Sequence, residues 1–157
     1  MRKHLRLSLQ LTLLFGSAVL IAQTRHITPF TGTWKLNLAK STFNPGPPFQ
    51  SFVLTFTPDG TRHLDLIGAD GQALEASLPW SDGKEVPVAV ARGSMENVTA
   101  TSRIQGSTFD DTWKENRKII EKVHAAVSPD RRTLTISVDG SDRQDHSFHN
   151  HLIFEKQ

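Results

Sequence analysis

Apolar and polar residues alternate at period two along most of this sequence, and that pattern restricts the fold more than any other feature. In residues 32–38, Trp34, Leu36 and Leu38 fall on one face and polar residues fall on the other. Such alternation is typical of a half-buried β-strand. Because a large indole needs a core to fill, we expect this first strand to bury Trp34.

The alternation continues from residue 50 to the end of the chain. Turn signals such as Pro58-Asp59-Gly60 and Asp82-Gly83 interrupt it, since proline presets φ and glycine accepts a positive φ. The pattern gives about nine or ten short strands at spacings of roughly 8–12 residues, and no helical period of the usual helix length. We predict an all-β, antiparallel, up-and-down β-barrel of about 8–10 strands, with a two-sheet β-sandwich as the alternative.

Three stretches depart from simple strands. Pro87 interrupts the valine-rich stretch 86–90, which predicts an edge strand or a bulge. The stretch 43–49 has three prolines and one glycine between two phenylalanines. It predicts an ordered connection or lid whose aromatic rings pack down onto the barrel. Residues 23–31 have no alternation, and we expect a loosely held lead-in there.

The N-terminus has the pattern of a secretory signal peptide. A basic region with three Lys and Arg residues precedes the uncharged, leucine-rich stretch 7–22. Cleavage after Ala22 would leave residues 23–157 as a single domain, and cleavage after Ala18 is the alternative. We therefore expect a secreted or periplasmic protein with no stable membrane insertion after residues 1–22 are removed.

Charge and cysteine content exclude some functions. The chain has 18 Lys and Arg and 16 Asp and Glu. Three of the basic residues and none of the acidic ones lie in residues 1–22, so the rest carries 15 against 16, a net charge of −1 with histidine neutral. No basic patch remains, and we predict no nucleic-acid partner. Because the chain has no cysteine, no disulfide can stabilise it and the core alone must do so. The absence of cysteine also excludes a thiol nucleophile.

The sequence has one histidine cluster, formed by His146, His149 and His151. His149 and His151 share a strand face, which is a usable spacing for two metal ligands. That face is the outer one if Phe148 points inward, and a third ordered ligand is missing. We predict solvated histidines, no metal site and no cofactor. Neither the oligomeric state nor the identity of a ligand follows from the sequence.

The first strand also resembles a known family. Gly32-Thr33-Trp34 resembles the Gly-x-Trp first-strand signature of the lipocalin superfamily. The run from Gly32 to Ser41 with the following stretch 43–47 is similar to a mostly uncharacterised family of small exported bacterial lipocalin-like proteins. The resemblance implies a lipocalin-like barrel. The chain has no tyrosine, so it lacks the Thr-Asp-Tyr signature of typical lipocalins. No arginine can be assigned to the position that closes over the first-strand tryptophan.

Asp111 is the most informative polar residue, because it lies between Phe109 and Trp113 on the apolar face of its strand. A carboxylate there is partly desolvated, which raises its pKa unless a cation or a donor compensates. Arg62 and Asn150 are further polar candidates for the interior.

The partner of Asp111 on the next strand depends on the register. A two-residue turn at 116–117 pairs Asp111 with Lys122 and places His124 opposite Phe109. A three-residue loop pairs Asp111 with Glu121, and the two carboxyl groups would then share a site. That second register also turns Ile119 inward. Both registers remain open at this point.

Function is predicted from the inward aromatic residues. In a barrel of this size they either fill the interior or line a pocket for one small ligand. We predict a binding protein for a small, mainly apolar ligand, with these ligand-binding residues: Phe56, Trp80, Phe109, Asp111, Trp113 and His124. One alternative is an enzyme that uses Asp111 with Lys122, His124 or Glu121 as acid and base, although we assign no catalytic residue. Another is a structural or interaction module with a filled barrel. A cavity of roughly 300 Å³ or more would favour a ligand.

Overall fold

The structure is a computed structural model that describes residues 29–157. The predicted signal peptide and cleavage sites lie outside these residues. Among residues 29–157, no helix has the length and apolar character that crossing a membrane requires. Residues 29–157 form twelve strands and one short 3₁₀ turn, Leu38–Lys40. The strands are β1 (Gly32–Leu36), β2 (Thr42–Asn44), β3 (Ser51–Phe56), β4 (Thr61–Ile67), β5 (Ala73–Pro79), β6 (Glu85–Pro87), β7 (Ala89–Arg92), β8 (Val98–Gln105), β9 (Thr108–Glu115), β10 (Lys118–Val127), β11 (Thr133–Ser141) and β12 (Ser147–Lys156).

These strands form a nearly closed antiparallel barrel. Eleven of them follow the order β6-β8-β9-β10-β11-β12-β1-β3-β4-β5-β7, and β2 pairs with β12 beside this path. Neighbours in sequence are mostly neighbours in the sheet, as tight turns require. The prediction of an up-and-down barrel is confirmed. Twelve strands were found where about nine or ten were expected, because the stretches 42–44 and 85–92 contribute extra short strands.

The barrel closes through the valine-rich segment around Pro87. Its first half, β6, pairs with β8, and its second half, β7, pairs with β5. At the switch the Val88 amide donates to the Val98 carbonyl at 3.0 Å. Proline has no backbone N–H that could donate to a neighbouring strand. A change of partner strand next to Pro87 therefore leaves no backbone N–H of that residue unpaired. The prediction of an edge or bulge at Pro87 is thus confirmed, and the segment brings the two edges of the sheet together.

One end of the barrel, the closed end, is filled by aromatic rings. Phe30, Phe56, Trp80 and Phe109 pack with ring centroids 5.2 to 6.1 Å apart. The side chain of Phe30 is fully buried. The expectation of a loose lead-in is therefore wrong at its last residues, because the core needs this ring to plug the end of the barrel.

Trp34 anchors the closed end, as predicted. Its indole is fully buried, and its Nε1 donates to the carbonyl oxygen of Phe30 at 2.6 Å. The Nζ of Lys156 lies 5.0 Å from the Trp34 ring centroid. A cation over an indole face is favourable. A lysine of the last strand thus covers the Trp34 ring.

The opposite end, the mouth, carries five connections, of which the one between β1 and β3 is the longest and includes β2. They span residues 37–50, 68–72, 93–97, 116–117 and 142–146. Phe49 packs edge-on against Phe43 at 5.3 Å and against Phe52 at 5.9 Å between ring centroids. The predicted packing of the proline-rich connection through its phenylalanines is confirmed. The connection leaves part of the mouth uncovered, since inward-facing residues such as Leu66 and Leu74 keep some exposed surface.

Candidate functional site

The centre of the candidate site is a buried ion pair between Arg62 and Asp111. Arg62 comes from β4 and Asp111 from β9, which are not neighbours in the sheet, so the pair spans the interior of the barrel. Arg62 Nη1 lies 2.6 Å from Asp111 Oδ2, and the two side chains are 4% and 1% exposed. Isolated charges at such depth are very costly, and each of these compensates the other.

Aromatic rings and two hydroxyls surround the pair. The Arg62 guanidinium carbon lies 5.0 Å from the Trp80 ring centroid and 5.1 Å from that of Phe109. Arg62 Nη2 is 3.4 Å from the hydroxyl of the buried Ser102. On the other side, Trp113 Nε1 donates to Asp111 Oδ2 at 3.4 Å. The aromatic faces favour the guanidinium, and the hydrogen bonds hold both charged groups in place.

Two buried polar atoms of the pair lack a partner among the described residues. They are Arg62 Nε and Asp111 Oδ1. Buried polar atoms in folded proteins are nearly always hydrogen-bonded, to protein or to ordered water. The pair therefore leaves one buried donor and one buried acceptor for a water molecule or another small polar group.

A β-bulge decides what faces Asp111 from β10. The two-residue turn at 116–117 is confirmed, because Lys118 pairs with Glu115. Between Ile119 and Glu121 the register then shifts, so that Asp111 pairs with Val123 and Trp113 pairs with Glu121. Both predicted pairings of Asp111 are therefore wrong.

The bulge rests on Gly140 of the next strand. A Cβ at Gly140 would lie 2.4 Å from Cζ of Phe148 and 2.7 Å from the carbonyl oxygen of Ile120, distances that real Cβ atoms essentially never show. Glycine thus allows the extra residue of β10 to bend toward β11. The inserted residue reverses which side chains face inward, so Ile119 is exposed and Glu121 points into the barrel.

The same reversal removes two predicted partners from the interior. Lys122 is exposed. His124 lies on the outer surface, where its Nδ1 is 2.7 Å from Asp110 Oδ1 and its side chain is 59% exposed. The predictions that His124 binds the ligand and that Lys122 or His124 acts with Asp111 are wrong. A one-residue shift exchanges the faces of a strand.

Glu121 is the third ionisable group at the site. Its side chain is half-buried, and burial together with the nearby charge of Asp111 raises its pKa from 4.5 to about 7. None of the described residues donates a hydrogen bond to its carboxyl group that would favour the charged form. The expectation of two carboxyl groups sharing an interior site is met here, although through the bulge and not through a three-residue loop.

These groups line a small cavity of about 70 Å³. Its twelve lining residues are Phe52, Leu54, Arg62, Leu64, Phe109, Asp111, Trp113, Glu121, Val123, Ile136, Val138 and Leu152. Three of the predicted ligand-binding residues, Phe109, Asp111 and Trp113, line it. Phe56 and Trp80 belong to the packed closed end below it. The volume is well under the roughly 300 Å³ of a pocket that encloses a whole ligand, so the cavity has room for only one end of a molecule.

A wider recess lies at the mouth. Its volume is about 650 Å³, and its walls include Leu66, Leu74, Arg92 and Met95. Leu66 follows Leu64 of the cavity on the same inner face of β4. Two residues along a strand span about 7 Å. The recess and the cavity therefore lie close together along β4.

Arg62 is the residue whose role the sequence conveyed least. It was only one polar candidate for the interior, and its pairing with Asp111 was not predicted. The period-two alternation along β4 is the signal that places Arg62 inside, because it puts Arg62 on the same face as Leu64 and Leu66. Nothing in the sequence pairs β4 with β9, because only closure of the barrel brings these strands to face each other.

The histidine cluster lies outside the barrel. His149 Nδ1 is 2.7 Å from Asp139 Oδ1 and His146 Nδ1 is 3.1 Å from Asp142 Oδ2. All of these side chains are exposed. Within residues 29–157, no group of three or more His, Cys, Asp or Glu side chains could hold a metal ion.

No protein-family model matches this chain, and no curated protein or solved structure is significantly similar to it. The lipocalin-like resemblance stays a prediction from the sequence. The function is therefore proposed from the site itself.

Proposed function

We propose that this protein is an exported binding protein for a small, mainly apolar molecule, which enters through the mouth and places a polar end beside Arg62 and Asp111. The observation that carries the proposal is the pair of unpartnered buried atoms, Arg62 Nε and Asp111 Oδ1, at a cavity of about 70 Å³. Ligand sites combine apolar walls with a few converging polar groups, and this cavity has both.

The position of the cavity supports the same function. Phe52, Leu64 and Val123 line it and keep part of their surface exposed, so solvent reaches it from the mouth. The recess beyond supplies apolar surface from Leu66 and Leu74. The body of a ligand would bury this surface at about 25 cal/mol per Å².

Methyl NMR with n-hexanol tests binding directly. We expect the methyl signals of Val123 and Val138, which line the cavity, to shift saturably, while those of Leu134 at the closed end stay unchanged. Val123→Phe should abolish the shifts by filling the cavity, and His124→Phe, on the outer face of the same strand, should not. Equal shifts throughout the chain, or none, would contradict an interior binding site.

An enzyme is the second candidate, because Glu121 and Asp111 form a pair of carboxyl groups of which one has a pKa of about 7. A carboxyl group with a pKa near the working pH is suited to general acid–base catalysis. Turnover of a bound molecule that is lost in Glu121→Gln would favour the enzyme, and unchanged bound molecules favour the binding protein.

Export rests on the N-terminal sequence pattern alone. N-terminal sequencing of exported protein should begin at Gln23, or at Val19 for the alternative cleavage. An intact Met1 in the exported fraction would reject this part of the proposal.

A further inference from the structure

Resting on the proposed function, we infer that the polar end of the ligand is a cation, most simply a protonated amine, and that the cavity selects amine-bearing amphiphiles over alcohols and fatty acids. The inference names the chemical class of ligand through the charges and hydrogen-bonding groups that face the cavity.

The charge balance of the cavity is negative or neutral and never positive. Three lining residues are ionisable, namely Arg62 from β4, Asp111 from β9 and Glu121 from β10. The charge of Arg62 is compensated by Asp111, whose Oδ2 lies 2.6 Å from Arg62 Nη1. The walls from β3, β11 and β12 contribute only apolar residues: Phe52, Leu54, Ile136, Val138 and Leu152. Glu121 is then the remaining charge, and an anionic ligand would meet a carboxylate without a free cation to bind it.

The hydrogen-bonding groups point the same way. Asp111 Oδ1 is buried and has no donor, and the Glu121 carboxyl accepts no hydrogen bond from the described residues. An ammonium group has three donors and no acceptor, which matches this surplus of acceptors. A hydroxyl supplies one donor, and a carboxylate supplies none. Arg62 Nε, the buried donor without a partner, belongs to a guanidinium already bound to Asp111, so an anion there would lie beside a carboxylate.

The aromatic walls add to the selection. Phe52, Phe109 and Trp113 line the cavity with the two carboxyl groups. The face of an aromatic ring attracts cations, most strongly where water is excluded. Arg62 shows that this interior already holds one cation between rings, at 5.1 Å from the Phe109 centroid.

A cationic ligand also gives binding a defined dependence on pH. The ammonium pairs with ionised Glu121, so amine affinity should rise as pH increases through the Glu121 pKa of about 7. Binding of a carboxylate should change in the opposite sense, because protonation of Glu121 removes the repulsion. A neutral alcohol should show little dependence.

The test compares n-hexylamine, n-hexanol and n-hexanoate, which share one apolar body and differ in charge. Dissociation constants are measured by methyl NMR titration of the full exported protein at about pH 6 and about pH 8, on either side of the Glu121 pKa. At the higher pH we expect the amine to bind about tenfold or more tighter than the alcohol, the effect of one charge-assisted hydrogen bond. Hexanoate should bind weakest.

Two variants complete the test. Glu121→Gln should reduce the amine affinity to near that of the alcohol. Lys122→Gln, the adjacent residue on the outer face, should change neither. If Glu121→Gln does not fold, the opposite pH trends of amine and hexanoate in the unmodified protein decide the question.

The outcomes separate this inference from the proposed function. Equal binding of all three molecules, or tightest binding of hexanoate, would overturn the choice of a cation while the binding function stands. If none of the three molecules binds saturably, both the choice of a cation and the binding function are overturned. Binding of the amine that Glu121→Gln leaves intact would also overturn the inference.

Discussion

The two ends of the barrel differ in how completely their side chains are buried and hydrogen-bonded within the chain. At the closed end, Phe30, Phe56 and Phe109 are essentially fully buried, and the indole N–H of Trp34 is bonded within the chain. Toward the mouth, Asp111 Oδ1 has no partner and Glu121 is half-buried with a raised pKa. The closed end is thus satisfied within the chain, whereas the polar groups toward the mouth are the ones that the proposed ligand would meet.

The Arg62–Asp111 pair lies at the boundary between these ends. Its guanidinium rests on Trp80 and Phe109 of the closed end, and both Arg62 and Asp111 line the cavity. Rigid aromatic packing below the pair fixes the geometry of the polar groups above it, as a preorganised binding site requires. Four substitutions test this division, from the largest effect to the smallest.

Trp34→Ala should have the largest effect on stability. We expect a loss of about 5 kcal/mol, the upper part of the range for a buried tryptophan, because the ring is fully buried and hydrogen-bonded. Phe52→Ala at the mouth should cost about 2 kcal/mol, since its ring is partly exposed. Urea denaturation measures both. Equal losses would show that the two ends do not differ in packing.

Asp111→Ala should cost about 3 kcal/mol, because it leaves the buried Arg62 charge unpaired. Water entering the cavity keeps the loss at the lower end for broken buried pairs. The neighbouring Asp110 provides a matched control, since it pairs with His124 on the exposed face. Asp110→Ala should change the free energy of unfolding by less than about 0.5 kcal/mol. A similar loss in both would mean that Asp111 is not buried.

Gly140→Ala should destabilise the protein by about 2 kcal/mol, because the new methyl group meets both the Phe148 ring and the Ile120 carbonyl. Displacement of the bulge should also turn Glu121 away from Asp111, so its pKa, measured by carboxyl NMR, should fall toward the ordinary value. Gly46→Ala is the control, since nothing lies within 4 Å of its added Cβ. An unchanged Glu121 pKa in Gly140→Ala would show that the bulge does not determine the position of Glu121 beside Asp111.

Glu121→Gln should have the smallest effect and the clearest dependence on pH. The pKa of Glu121 is raised in the folded protein from 4.5 to about 7, so the folded state holds this proton more tightly than the unfolded chain. The free energy of unfolding should therefore fall as pH rises between these two values. Above this range the variant should be more stable by about 1–2 kcal/mol, a figure reduced for solvent access at the mouth.

Thermal unfolding across this pH range checks the prediction, with Lys122→Gln as the control that keeps the original pH dependence. If Glu121→Gln shows the same slope as the unmodified protein, another group causes it and the carboxyl pair at the mouth has no energetic role.

Local patterns determined the strands, the all-β class and the inward direction of Trp34, Asp111 and Trp113. These follow from the period of two and from turn residues, because both act between residues close in sequence. The two-residue turn at 116–117 belongs to the same group. So does the edge or bulge at Pro87, which the missing N–H of proline predicts locally.

Only the tertiary structure decided what Asp111 meets. The bulge at Ile120 depends on Gly140 of another strand, and it moved Glu121 inward and placed Lys122 and His124 outside. The ion pair with Arg62 depends on closure of the barrel, which brings together residues 49 positions apart in the sequence. A period-two pattern specifies which way a side chain points from its own strand. It carries no information about which strand lies across the interior, because that depends on the packing of the whole barrel.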